Sequence, residues 1–110
     1  MTKTLAWIML IAAGICEMGW PLGFKLAAQP ERSSFFWFAF SGISMVVSGA
    51  LLFWAQKVIP IGTAYVVWTG VGGVGTALVG IYFFGDPATT GRLVSLFLVI
   101  AGIIGLKVFS

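Results

Sequence analysis

KTLAWIMLIAAGICEMGWPLGFK, residues 3 to 25, decides the fold. Lys3 and Lys25 bracket twenty-one residues, and Glu17 is the only charge among them. At 1.5 Å per residue, such a run crosses a hydrocarbon core of roughly 30 Å as a helix. It is longer than the seven to fifteen apolar residues of about the usual secretory leader, and an acid near its middle does not belong in one. The stretch therefore predicts a membrane helix that carries a carboxylic acid.

The rest of the chain repeats the pattern. It has 110 residues, 60% hydrophobic and 8% charged, where a soluble domain is about 25% charged. Apolar segments are expected at about 4–24, 33–55, 60–84 and 88–109. The second and third hold no charge, and Arg92 stands near the start of the fourth. The runs are continuous rather than alternating, which excludes a membrane barrel. KLAAQPERSS, QKVIP and GDPATTGR separate them, short and polar with Pro or Gly, as loops are. The expected architecture is an all-α integral membrane protein, one domain over 1–110 with four transmembrane helices.

Composition narrows function. The net charge of +3 arises from six scattered cations and three acids, with no basic stripe for nucleic acid. Cys16 is the single cysteine and there is no histidine. No metal cluster or nucleophile–base pair can be assembled, so neither an enzyme nor a cofactor is expected.

Four spans put both termini on one side. Lys3, Lys57 and Lys107 then face Lys25, Arg32 and Arg92 across the membrane, three against three. The positive-inside bias that normally fixes orientation is missing. Either loop length hides it or the chain inserts both ways round. Trp7, Trp37 and Trp54 lie near segment ends, as interfacial anchors do. Trp20 and Trp68 lie deeper.

On a helix, Glu17 shares a face with Ala13, Gly14, Trp20 and Pro21. Small residues there let a helix or ligand approach closely. Pro21 has no N–H for the Glu17 carbonyl, which predicts a bend. Ser41, Ser44 and Ser48 form a polar stripe at helical spacing, where hydroxyls often bond their own backbone. Tyr65, Trp68, Thr69 and Gly72 share a third-segment face. TGVGGVG (69–75) lacks the Lys-Ser/Thr ending of a phosphate loop and follows no strand. It reads, with Gly70 and Gly72, as a flexible point in a membrane helix. Ala101 and Gly105, with Gly102 beside them, make a small-xxx-small pair suited to helix contact between subunits.

Depth links these groups. Glu17 is about 12 Å of helix from the Lys25 face, and Ser48 and Trp68 about 12 to 14 Å from the opposite face. In one subunit Glu17 is offset from them by several ångströms; in an inverted pair the depths coincide. An ionised acid at mid-bilayer costs about 2.5 to 3.5 kcal/mol, so intramembrane acids default to proton relays and cation sites. A lone acid holds a proton or a cation, not both, which suits exchange.

GICEMGW (14–20), PIGTAYVVWTGVG (60–72) and GIIGLK (102–107) together resemble the small multidrug resistance family of bacterial inner-membrane transporters, over nearly the whole chain. The resemblance implies a four-helix subunit, an antiparallel homodimer of dual topology, and proton-coupled cation export through Glu17. Trp20 and the WTG at 68–70 resemble the guanidinium-exporting branch. They imply Glu17 as the shared proton and guanidinium site, with Trp20, Ser48, Tyr65 and Trp68 as pocket lining. Gly14, Ser44, Thr69, Gly70 and Gly72 are expected at the pocket or a hinge. The alternative is export of quaternary ammonium cations, which cannot donate hydrogen bonds. Pro21 and Phe24 depart from the family's WAxxLK pattern, and Gly85-Asp86 stands where GE or KE is common. The expected partners are a small guanidinium-like cation, protons, membrane lipid and a second copy of the chain.

Overall fold

A computed structural model describes residues 1 to 109, which form five helices. They are α1 (Lys3–Glu17), α2 (Gly19–Ala27), α3 (Ser34–Ala55), α4 (Ile61–Phe83) and α5 (Thr90–Val108). Side-chain oxygens of Thr2, Ser33 and Thr89 accept the N–H groups of Leu5, Phe36 and Arg92 and cap α1, α3 and α5. α1 and α2 are consecutive parts of one span, Lys3–Ala27. With α3, α4 and α5 this gives four segments long and apolar enough to cross a membrane.

The first span breaks at Met18, one residue after the acid. The cause is local: Pro21 cannot donate to the carbonyl of Glu17, four residues earlier, and its ring crowds that position. Met18 itself keeps helical dihedrals, and the chain resumes as α2 and continues to Ala27. There the Ser34 hydroxyl donates to the Ala27 carbonyl (3.0 Å) and closes the connection to α3.

The helices lie side by side in a slab of 45 × 34 × 17 Å. The molecule is thus flattened along one axis, half as thick as it is wide. α1 packs on α3 and α4, α2 on α3, and α5 chiefly on α4. Ala6, Trp7, Leu10, Ala55, Ile59, Ala64 and Val67 form the core, where α1, the end of α3 and the start of α4 meet. Trp7, near the start of its span, is buried in this core with the Lys107 ammonium over its ring. Trp54, at the end of α3, is exposed.

The serine stripe serves the packing. Ser41 and Ser48 are both buried in the α3 face turned towards α1 and α2. The Ser41 hydroxyl donates to the Trp20 carbonyl (3.0 Å) and the Ser48 hydroxyl to the Ala13 carbonyl (2.6 Å). These hydroxyls therefore satisfy a neighbouring helix rather than their own. In a medium without water, such bonds fix the register between helices.

α4 runs unbroken through residues 69–75, so the glycines there do not interrupt it. Three of the four are seats for neighbours, Gly73 being the exception. A Cβ on Gly70 would meet Ile103 of α5, one on Gly72 would meet Glu17, and one on Gly75 would meet Met18. No residue of α5 is buried. A Cβ on Gly102 or Gly105 meets nothing within 4 Å, so these glycines are not seats for any described part of the same chain.

Candidate functional site

Glu17 ends α1 at the break, half-buried. Its Oε1 accepts the indole N–H of Trp20, three residues on and already in α2. Its Oε2 is buried and accepts no hydrogen bond from any described residue. A buried acceptor with nothing to accept is costly, by about 1–3 kcal/mol or more when charged. One oxygen is thus oriented by the protein, and the other calls for a proton or a donor-bearing cation.

The break also makes the space. α1 packs against α4, but past Met18 the chain swings towards α3, and a gap opens between α2 and α4. A cavity of about 590 Å³ results, walled by Glu17 and Trp20 on one side and by Tyr65, Trp68, Thr69 and Gly72 of α4 on the other. A smaller chamber of about 210 Å³ adjoins it, between Glu17, Trp20, Met45, Ser48 and Trp68. The Trp68 indole donates to the Ser48 hydroxyl (2.9 Å), and the Tyr65 ring leans on Trp68 with centroids 5.6 Å apart. The aromatic wall is therefore anchored to α1 through Ser48 and the Ala13 carbonyl.

The expected residues separate into groups. Trp20 bonds the acid directly. Tyr65, Trp68 and Thr69 line the cavity, and Ser48 lines the smaller chamber. Gly72 both lines it and admits the acid, since its added Cβ would stand 2.6 Å from the Glu17 Cγ and 3.2 Å from the Gly14 carbonyl oxygen. Gly14, Ser44 and Gly70 do not line the Glu17 cavity. Gly14 seats Val71 and the Trp68 carbonyl of α4, Ser44 fills the space over Gly19, and Gly70 faces α5. The depth offset between Glu17 and Ser48 holds, because Ser48 bonds one turn away at Ala13. The Trp68 indole spans that offset, so Glu17 and Trp68 share a cavity within one subunit. Asp86, which sequence reasoning left in a loop, also lines the main cavity.

Four apolar spans around one half-buried acid in an open cavity define a class, the multi-pass membrane proteins with an internal charge site. The model for the family described as Small Multidrug Resistance protein matches residues 5–99. The chain belongs to the small multidrug resistance family, and is a multi-pass membrane transport protein. It is 46% identical over 103 residues to the guanidinium exporters of Salmonella typhimurium strain LT2 and Escherichia coli strain K12. It is 45% identical over the same length to that of Citrobacter freundii. Each alignment covers 94% of this chain and 96% of the relative.

Proposed function

We propose that this protein exports guanidinium across the bacterial inner membrane in exchange for protons, as an antiparallel homodimer in which Glu17 of each copy serves one shared site. The observation that carries the reading is the Glu17 carboxylate, with Oε1 held by Trp20 and Oε2 buried without a partner. The names of the relatives support the choice of substrate.

The chemistry fits the cavity. Guanidinium is planar, and its N–H fork matches a carboxylate edge. It is more weakly hydrated than an ammonium, so it loses less on leaving water. Trp20, Trp68 and Tyr65 offer aromatic faces to a cation. A proton and a guanidinium compete for the same carboxylate oxygens, so each turnover carries one kind of cargo in one direction. Alternating access then exchanges the two across the membrane. If two acids release their protons before one guanidinium binds, two protons enter per cation and the cycle moves net charge.

The thin slab supports a second copy. One subunit leaves its cavity open along a face, and α5 has no buried residue. We place much of the dimer contact at Ala101, Gly102 and Gly105. Gly105→Leu should shift the detergent-solubilised protein towards monomer in size-exclusion chromatography with light scattering; an unchanged dimer fraction counts against this contact.

The test of function is the transport current of proteoliposomes on solid-supported membranes. Guanidinium should give a Glu17-dependent current. If only tetraalkylammonium or large aromatic cations do so, the quaternary ammonium reading replaces this one. A matched glycine pair tests the geometry. Gly72→Ala pushes a methyl into Glu17 and the Gly14 carbonyl, whereas a Cβ on Gly73 meets nothing within 4 Å. Gly72→Ala should cut the guanidinium current about fivefold or more, as overpacking costs about 1–3 kcal/mol, and Gly73→Ala should leave it near wild type. Equal currents from the two variants overturn the placement of Glu17 against Gly72.

A further inference from the structure

Two of the chain's three acids line one cavity. Glu17 sits against Gly72, well inside the span, and Asp86 sits in the loop after α4. No lysine or arginine lines that cavity.

Asp86 is held there by a built turn. Gly85 has φ +72°, a left-handed conformation that glycine adopts without strain. It doubles the chain back, so that the Asp86 N–H donates to the Gly80 carbonyl at 3.0 Å. The carboxylate then lies over Gly80, and a Cβ at that glycine would collide with Asp86 Oδ2. Pro87 follows and restricts the backbone of Asp86 further. Gly72 and Gly80 are eight residues apart, or about 12 Å along the helix. One guanidinium cannot touch both acids at that spacing, so they are two stations. Lys25 shares the adjoining gap with Asp86, its ammonium over the Phe84 ring at 5.9 Å, and does not line the cavity that holds Glu17.

We propose that Asp86 forms an outer cation station at the mouth of the cavity, which takes up guanidinium or another small monovalent cation before it passes to Glu17. The inference rests on the transport reading above and adds a residue to its entry route. In an antiparallel dimer, one Asp86 stands towards each side of the membrane. A carboxylate at the mouth of a low-dielectric cleft concentrates cations locally and speeds their capture. It acts on the approach and not on the exchange at Glu17. Its signature is therefore a change in half-saturating concentration with little change in maximal current.

The experiment compares wild type, Asp86→Asn, Asp86→Glu and Gly80→Ala in guanidinium-evoked currents. Salt is varied between about 10 and 150 mM, where the screening length falls from about 30 to 8 Å. Asp86→Asn should raise the half-saturating guanidinium concentration about three- to tenfold at low salt. It should also flatten the salt dependence and leave the maximal current within about twofold. Gly80→Ala, which displaces the carboxylate, should do the same, and Asp86→Glu should stay near wild type. Unchanged half-saturation and salt dependence in Asp86→Asn overturns the proposal. So does a fall in maximal current alone, which marks a merely structural turn. If wild type gives no Glu17-dependent guanidinium current, the guanidinium reading fails by itself. The same variants are then read with tetraethylammonium, for which an outer carboxylate predicts the same shift. If neither cation is carried, both ideas fall.

Discussion

Glu17→Gln is expected to abolish the proposed proton-coupled guanidinium transport while leaving the helices and the proposed dimer intact. The amide has nearly the volume of the acid, and its oxygen can still accept the Trp20 indole N–H, so the local packing has no reason to change. The titratable group and the countercharge are what disappear. A buried cation without its partner is unfavourable by about 3–5 kcal/mol, more than a hundredfold in affinity. Proton exchange at this position ends as well. The measurement is the guanidinium current of reconstituted protein, beside its elution profile in detergent. A wild-type current from the variant would remove Glu17 from the mechanism. Loss of the folded species would make the defect structural.

The second large effect is expected at Trp20, where two variants separate the donor from the bulk. Trp20→Phe keeps an aromatic wall but leaves Glu17 Oε1 without the indole N–H. A hydrogen bond to a charged group contributes about 1.5–3 kcal/mol, so guanidinium transport should fall about tenfold or more as the carboxylate loses its fixed orientation. No bulky cation should gain. Trp20→Gly also removes the ring, which stands edge-on to Phe24 with centroids 5.7 Å apart. That widens the cavity beside the acid, and currents from tetraalkylammonium or large aromatic cations should rise as guanidinium falls. The two profiles are read in parallel on the same reconstitution. If Trp20→Gly keeps guanidinium preference, selectivity is set elsewhere, with the Trp68–Ser48 wall as the next candidate.

What the sequence disclosed depended on how far apart the interacting residues lie. The Glu17–Trp20 contact is three residues long and follows from helical periodicity. The bend beside it follows from one proline. Four apolar spans were legible because a bilayer imposes length and composition directly. The destinations of Ser41 and Ser48 were not. Helical spacing places them on one stripe, but only packing brings the stripe against the Trp20 and Ala13 carbonyls. The contacts of the α4 glycines were hidden in the same way: without knowledge of Ile103 over Gly70, or Glu17 over Gly72, a glycine-rich run shows no sign of close contact. Trp7 has the position of an interfacial anchor, and tertiary contacts bury it. Asp86 was out of reach, because its place depends on a left-handed glycine that returns the chain onto α4.

The divergence of α2 from α4 past Met18 has a further consequence for how substrate range evolves. Between parallel walls, a larger guest would be admitted only by trimming a side chain. Here the two walls are leaves of a wedge, and the vertex is the single peptide linkage beside the acid. The width available at any depth is the opening angle multiplied by the distance from that vertex. A change at Pro21, which lines the cavity itself, therefore alters the wall and the aperture together. Relatives can therefore differ in the size of cation they accept through the residue at position 21 as well as through the aromatic wall opposite.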